Sequence, residues 1–154
     1  MMKLQTLLAA LGANLLLSAA ASACTPCATK LTLEETVKKA DLIVIGTNET
    51  GELPAVHEQA GPDTLRIAVS EILAGTEERK SIVVNSWDSM CPYGIVITTG
   101  SYVIFLTRRE SMYDSIDSGC SVKALPLEND EVVIDERRIP LGSLKKKISD
   151  WRAR

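Results

Sequence analysis

Leu42-Ile43-Val44-Ile45-Gly46 and Thr64-Leu65-Arg66-Ile67-Ala68-Val69-Ser70-Glu71-Ile72-Leu73 decide the fold class. The first is a compact apolar run, too short for a helix of its own and ended by Gly46 or shortly after, and it reads as a buried strand. The second alternates, with Leu65, Ile67 and Val69 on one side and Arg66, Ala68 and Ser70 on the other, which is the period-two pattern of a strand with one buried face. Ala74-Gly75-Thr76 turns it, Ser81-Ile82-Val83-Val84-Asn85 forms the next strand, and Gly100 introduces Ser101-Tyr102-Val103-Ile104-Phe105-Leu106.

Outward from these strands, the segment before Leu42 predicts a short helix over residues 33–40. Thr32 and Glu35 stand three apart as a capping box, with Glu34 and Glu35 near the positive end and Lys38 and Lys39 near the negative end. Residues 49–63 carry Gly51, Pro54, Gly61 and Pro62 and read as a loop, in which His57 is a solvated side chain. Residues 86–99 are irregular, and residues 111–119 are polar and expected to be exposed. A short apolar stretch runs from Cys120 to Leu127, residues 128–130 turn, and Val132-Val133-Ile134 pairs with residues 137–140. Leu141, Leu144, Ile148 and Trp151 recur at helical spacing, with Lys145-Lys146-Lys147 as a solvated face. Five or six short strands joined mainly to one another predict a mostly β chain. The expected fold is a five-stranded OB-type Greek-key barrel with a short N-terminal helix and a C-terminal helix, with a sandwich as the alternative.

The 154 residues are 45% apolar and 24% charged with net charge −3, which excludes a disordered chain. The acidic balance and the lack of a basic stripe argue against a nucleic-acid binder. No His pair for a metal, no G-x-S-x-G elbow and no phosphate loop is present, so the chain is read as a non-enzyme with no cofactor and no metal of its own. Asp114 and Asp117 are assigned to the polar loop rather than to catalysis.

Residues 1–23 read as a secretory signal peptide: Lys3 in a short leading region, an apolar run from Leu7 to Leu17, and Ala21-Ser22-Ala23 as a small-x-small cleavage site. A bacterial lipoprotein signal, with a lipid anchor on Cys24, is the competing reading. Either one leaves a single domain, residues 24–154, with net charge −4 and no membrane span. The expected location is secreted or periplasmic, or the cell envelope if Cys24 is lipidated.

The mature chain then holds Cys24, Cys27, Cys91 and Cys120, and export makes pairing the default. Three connectivities are open. Crossed pairs close 67 and 93 residues, each worth about 4–5 kcal/mol in the chain-entropy model, which favours crossing only weakly. Cys24-Thr25-Pro26-Cys27 fits a thioredoxin-like redox centre poorly, because no strand precedes it, and zinc poorly, because no second C-x-x-C follows.

Cys24-Thr25-Pro26-Cys27 resembles the cysteine-led N-terminus of tissue inhibitors of metalloproteinases and related netrin-like modules. Residues 40–46 are similar to that family's first strand, and Val69-Ser70-Glu71-Ile72-Leu73-Ala74-Gly75 to its second. Residues 100–106 resemble its glycine-led later strand, Cys91 its lone mid-chain cysteine, and Cys120-Ser121 its later Cys-Ser pair. The resemblance, to an exported single-domain member of bacterial type, covers residues 24–127. It implies an OB-type barrel with Cys24–Cys91 and Cys27–Cys120 bonded, and a protein partner, specifically a zinc metalloprotease. By position Cys24 would chelate the protease's zinc through its α-amine and carbonyl oxygen, and Thr25 would enter the primary specificity pocket. Ser89, Met90, Pro92 and Tyr93, beside Cys91, would flank the contact. The chain differs from the animal inhibitors in having two residues between the first cysteines rather than one, and in lacking counterparts of their third disulfide and C-terminal domain. A non-inhibitory binding or structural module of the cell envelope is the alternative function.

Overall fold

The computed structural model describes residues 27–51, 64–86 and 94–154. In chain order these form α1 (Leu33–Lys39), β1 (Leu42–Asn48), β2 (Thr64–Ala74), β3 (Ser81–Asn85), β4 (Ser101–Arg109) and β5 (Met112–Asp114). A 3-10 turn (Ile116–Gly119), β6 (Ala124–Glu128), β7 (Glu131–Ile134), β8 (Arg137–Pro140) and α2 (Leu141–Arg152) follow.

β1 lies antiparallel to β2 on one edge and to β4 on the other, pairing Leu42 with Leu106, Val44 with Ile104 and Gly46 with Tyr102. β2 pairs with β3, and β5 bridges the remaining gap, antiparallel to β4 and parallel to β3 where Val84 faces Tyr113. The circuit β1-β2-β3-β5-β4-β1 is a closed five-stranded barrel of the OB type. β6 continues the sheet from the first half of β4, and β7 and β8 complete a meander. Its two tight turns place Asn129, Asp130, Asp135 and Glu136 at positive φ, the backbone that two-residue hairpins of right-handed twist require.

β1 and β4 are buried on both faces, which is why they read as unbroken apolar runs. Leu42, Val44, Ile104 and Leu106 point into the barrel with Leu65, Ile67, Ile82, Val84 and Tyr113. Ile43, Ile45, Val103 and Phe105 point outward into a second core against Val37 of α1 and Leu141, Leu144 and Ile148 of α2. The helix expected over 33–40 forms with its capping box intact, Thr32 Oγ1 accepting from the Glu35 N–H and Glu35 Oε2 from the Thr32 N–H. At its other end Arg152 of α2 donates to the carbonyls of Val37 and Ala40, closing orphan acceptors of the last turn. Lys145 reaches Glu71 and Lys146 reaches Asp150, so the lysine run is a solvated, ion-paired face.

β1 runs through Gly46 to Asn48; a Cβ at Gly46 would sit 2.6 Å from Ile67 Cγ2, so the glycine permits close approach of β2. Two expectations are corrected. Residues 111–119 are not an exposed polar loop, because Tyr113, Asp114, Ser115 and Ile116 are buried. The barrel needs a strand between β3 and β4, and β5 supplies it with three residues, too few for any periodicity to show. Among the described residues eight strands are present rather than five or six, since the meander adds three outside the barrel.

Phe105 is fully buried between the barrel and both helices. Phe105→Ala is expected to cost about 3–5 kcal/mol of unfolding free energy, read from chemical denaturation; a cost under 1 kcal/mol would mean that the helices do not pack on β4 as described.

Candidate functional site

The segment that the sequence marks as functional enters the structure at Cys27, which is disulfide-bonded to Cys120 with the Cα atoms 5.5 Å apart. Cys120 follows the 3-10 turn and donates its N–H to the Asp117 carbonyl. The attachment continues past the bridge: the Leu31 N–H donates to the Cys120 carbonyl at 2.8 Å, the Val122 N–H donates to Thr36 Oγ1, and Lys39 pairs with Asp117 at 2.6 Å. Residues 27–39 are thus fastened to residues 117–122 at successive points.

A bond from Cys27 to Cys120 excludes a Cys24–Cys27 redox pair. The bridge is compatible with an oxidising extracellular or periplasmic location. Cys24, Thr25, Ser89, Met90, Cys91, Pro92 and Tyr93 lie outside the described residues, as do the signal segment and His57.

The base of the segment carrying Cys91 is described and is tightly pinched. Ile95 donates its N–H to the Asn85 carbonyl at 2.9 Å, and Ser86 Oγ donates to the Ile95 carbonyl at 2.7 Å. Gly94 lies so close to Ser86 that a Cβ would overlap the Ser86 carbonyl oxygen, so only glycine fits. The Asn85 side chain donates from Nδ2 to Asp114 Oδ2 at 3.3 Å. Asp114 is itself held by Arg109 at 2.8 Å and by the Ser115 N–H at 2.7 Å. One short stretch, from Asp114 to Cys120, therefore carries both the N-terminal anchor and a contact to the base of residues 87–93.

Tyr113, next to this stretch, organises the adjoining end of the barrel. Its ring is fully buried, and its hydroxyl donates to Glu77 Oε2 and accepts from Arg108 Nη2, both at 2.7 Å. Arg79 grips the same carboxylate with Nε and Nη2, and the Arg79 and Arg108 guanidinium carbons lie 5.9 and 5.0 Å from the Tyr113 ring centroid. The Arg79 fork, then the Tyr113 hydroxyl, hold the Glu77 carboxyl far below the usual carboxylate range. Burial, and then the Glu77 carboxylate, push the Tyr113 phenol up. Asp41 is lowered chiefly by the Arg108 N–H, and further by the Thr107 hydroxyl.

Two open clefts flank Arg108. One of about 240 Å³ is lined by Thr107, Arg109, Asp114, Ser115 and Asp117, and one of about 280 Å³ by Thr76, Glu77, Glu78 and Arg79. Each mixes cations with carboxylates, and the cluster acts as a polar plug that ties the connection after β2 to the β4–β5 hairpin. Among the described residues no group of three His, Cys, Asp or Glu side chains is placed to hold a metal, and no helix is long and apolar enough to cross a membrane. Sequence reasoning missed Tyr113 and Glu77; Met112-Tyr113 is too short an apolar signal to mark a strand, and the partners of Tyr113 are 36 and 5 residues away. The chain matches no family model, no curated protein and no solved structure.

Removing the Tyr113 hydroxyl strips a hydrogen bond from both Glu77 and Arg108, and Tyr113→Phe is expected to cost about 1–3 kcal/mol, measured by urea denaturation. Because the Glu77 and Asp41 carboxyls are depressed, their contribution is complete above the unfolded carboxylate pKa of about 4 and is lost as pH falls through the lower folded values. Stability should hold from pH 7 to 5 and decline below about 4, and Glu77→Gln should flatten part of that decline. Identical acid profiles for the two proteins would remove Glu77 from the account.

Proposed function

We propose that the protein is an exported, disulfide-braced OB barrel that binds a protein partner with its N-terminal segment, and that the partner is a zinc endopeptidase held through Cys24. The observation that carries this reading is the Cys27–Cys120 bridge. It anchors the N-terminal segment on the stretch that also contacts the base of residues 87–93. Three residues span at most about 10 Å, so Cys24 stays within that distance of the anchor.

The chemistry suits such an end. A catalytic zinc keeps one position open for water, and a neutral α-amine together with the carbonyl oxygen of the same residue can occupy it. The reference pKa of an α-amine is about 7.7–8.0, so loss of its proton costs little near neutrality. A segment fixed by disulfides loses less conformational entropy on binding than a free one. In this arrangement Thr25 enters the pocket beside the zinc, and Ser89, Met90, Pro92 and Tyr93 form the second contact.

The test adds the mature protein to a panel of zinc endopeptidases, beside forms with the Cys24 amine acetylated or extended by one alanine. Inhibition by the free amine and its loss by at least tenfold on capping are expected. Inhibition that survives capping would refute zinc chelation, and none across the panel would favour the non-inhibitory envelope module.

A further inference from the structure

We propose that the Cys27–Cys120 bridge is a redox-operated latch, whose reduction frees residues 28–30 while the barrel stays closed. Its regulatory meaning rests on the function proposed above, but its physical basis does not.

The two sides of Cys27 differ in how they are held. Ala28, Thr29 and Lys30 are exposed and make no hydrogen bond among the described residues, so the bridge is the local fastening of this stretch. From Leu31 onward the chain has attachments that owe nothing to sulfur. The Leu31 N–H is bound by the Cys120 carbonyl, and the fully buried Thr36 accepts from Val122. Val37 is fully buried in the outer core, and Arg152 caps the helix end. Neither cysteine belongs to a barrel strand or to either core cluster. Both are partly exposed, so a small thiol can reach the bond.

The reductant is a dithiol. One of its thiolates attacks a sulfur of the bridge and forms a mixed disulfide, expelling the other cysteine as a thiolate that takes a proton. The second thiol of the reductant then displaces the remaining cysteine and closes its own disulfide. Two electrons and two protons pass to Cys27 and Cys120, and the same exchange run in reverse with an oxidised dithiol, whose disulfide takes up the two electrons and two protons, restores the latch.

The experiment measures backbone order parameters by nuclear magnetic resonance for the oxidised protein and for a C27S/C120S double variant, which leaves Cys24 and Cys91 untouched. The variant is expected to show residues 28–30 falling from about 0.8 to below about 0.6, while Val44, Ile104 and Tyr113 keep their chemical shifts and their order. Loss of dispersed barrel resonances, including failure to fold, would show that the bridge is a staple of the whole domain and overturn the proposal. Unchanged order at residues 28–30 would overturn it equally. Neither reading depends on a protease, so failure of the latch and failure of the inhibitory function are separable.

Discussion

The structure depends on the pairing of β1 with β4, two apolar strands that each serve two cores. Six consecutive pairs, from Leu42 opposite Leu106 to Thr47 opposite Ser101, close the barrel and at the same time create its outer surface. Alternation does the rest: Leu42 and Val44 fill the barrel, while Ile43 and Ile45 present an apolar face that water would penalise. α1, α2 and the meander exist where that face must be covered. The helices in turn fix the chain on either side of the site, since α1 delivers Cys27 and Leu31 to the 3-10 turn and α2 secures the end of α1 through Arg152.

Closing so small a barrel leaves one awkward seam, between β3 and β4, and the polar groups collect there. β5 has only three residues and meets β3 at a single pair. Its side chains compensate: Tyr113 fills the barrel end and gathers Glu77, Arg79 and Arg108, while Asp114 draws in Asn85 and Arg109. Exposed ion pairs contribute little, but Glu77 has a side chain only 6% exposed and Asp114 one only 11% exposed, and each carboxylate is fully engaged. The seam is thereby stiffened at the place where the N-terminal segment is tied.

Much of this was legible in the residues, and the limits have physical causes. The strands with clear period, β2 and β3, and the doubly buried runs in β1 and β4 announce themselves because burial sets their pattern. The capping box places α1, and the 141, 144, 148 spacing places α2. β5 escaped because its role is set by long-range contacts, with Val84 and Glu77, that no local window contains. Ile95 and Ile97, buried in the barrel from an irregular segment, escaped for the same reason. Of the candidate site, the Cys27–Cys120 link followed from a family resemblance, since loop entropy alone leaves the connectivity open. The polar hub at Tyr113 carries no motif and is visible only once β2, β4 and β5 meet.

The proposed function makes Cys24, held near the barrel through the Cys27–Cys120 bridge, the residue that meets the partner. Mass spectrometry of the exported protein, intact and after non-reducing digestion, tests this most directly. The account predicts a chain that begins at Cys24 with a free α-amine, one peptide joining Cys27 to Cys120 and another joining Cys24 to Cys91. An acylated Cys24, or a peptide in which Cys24 is joined to Cys27, would contradict it.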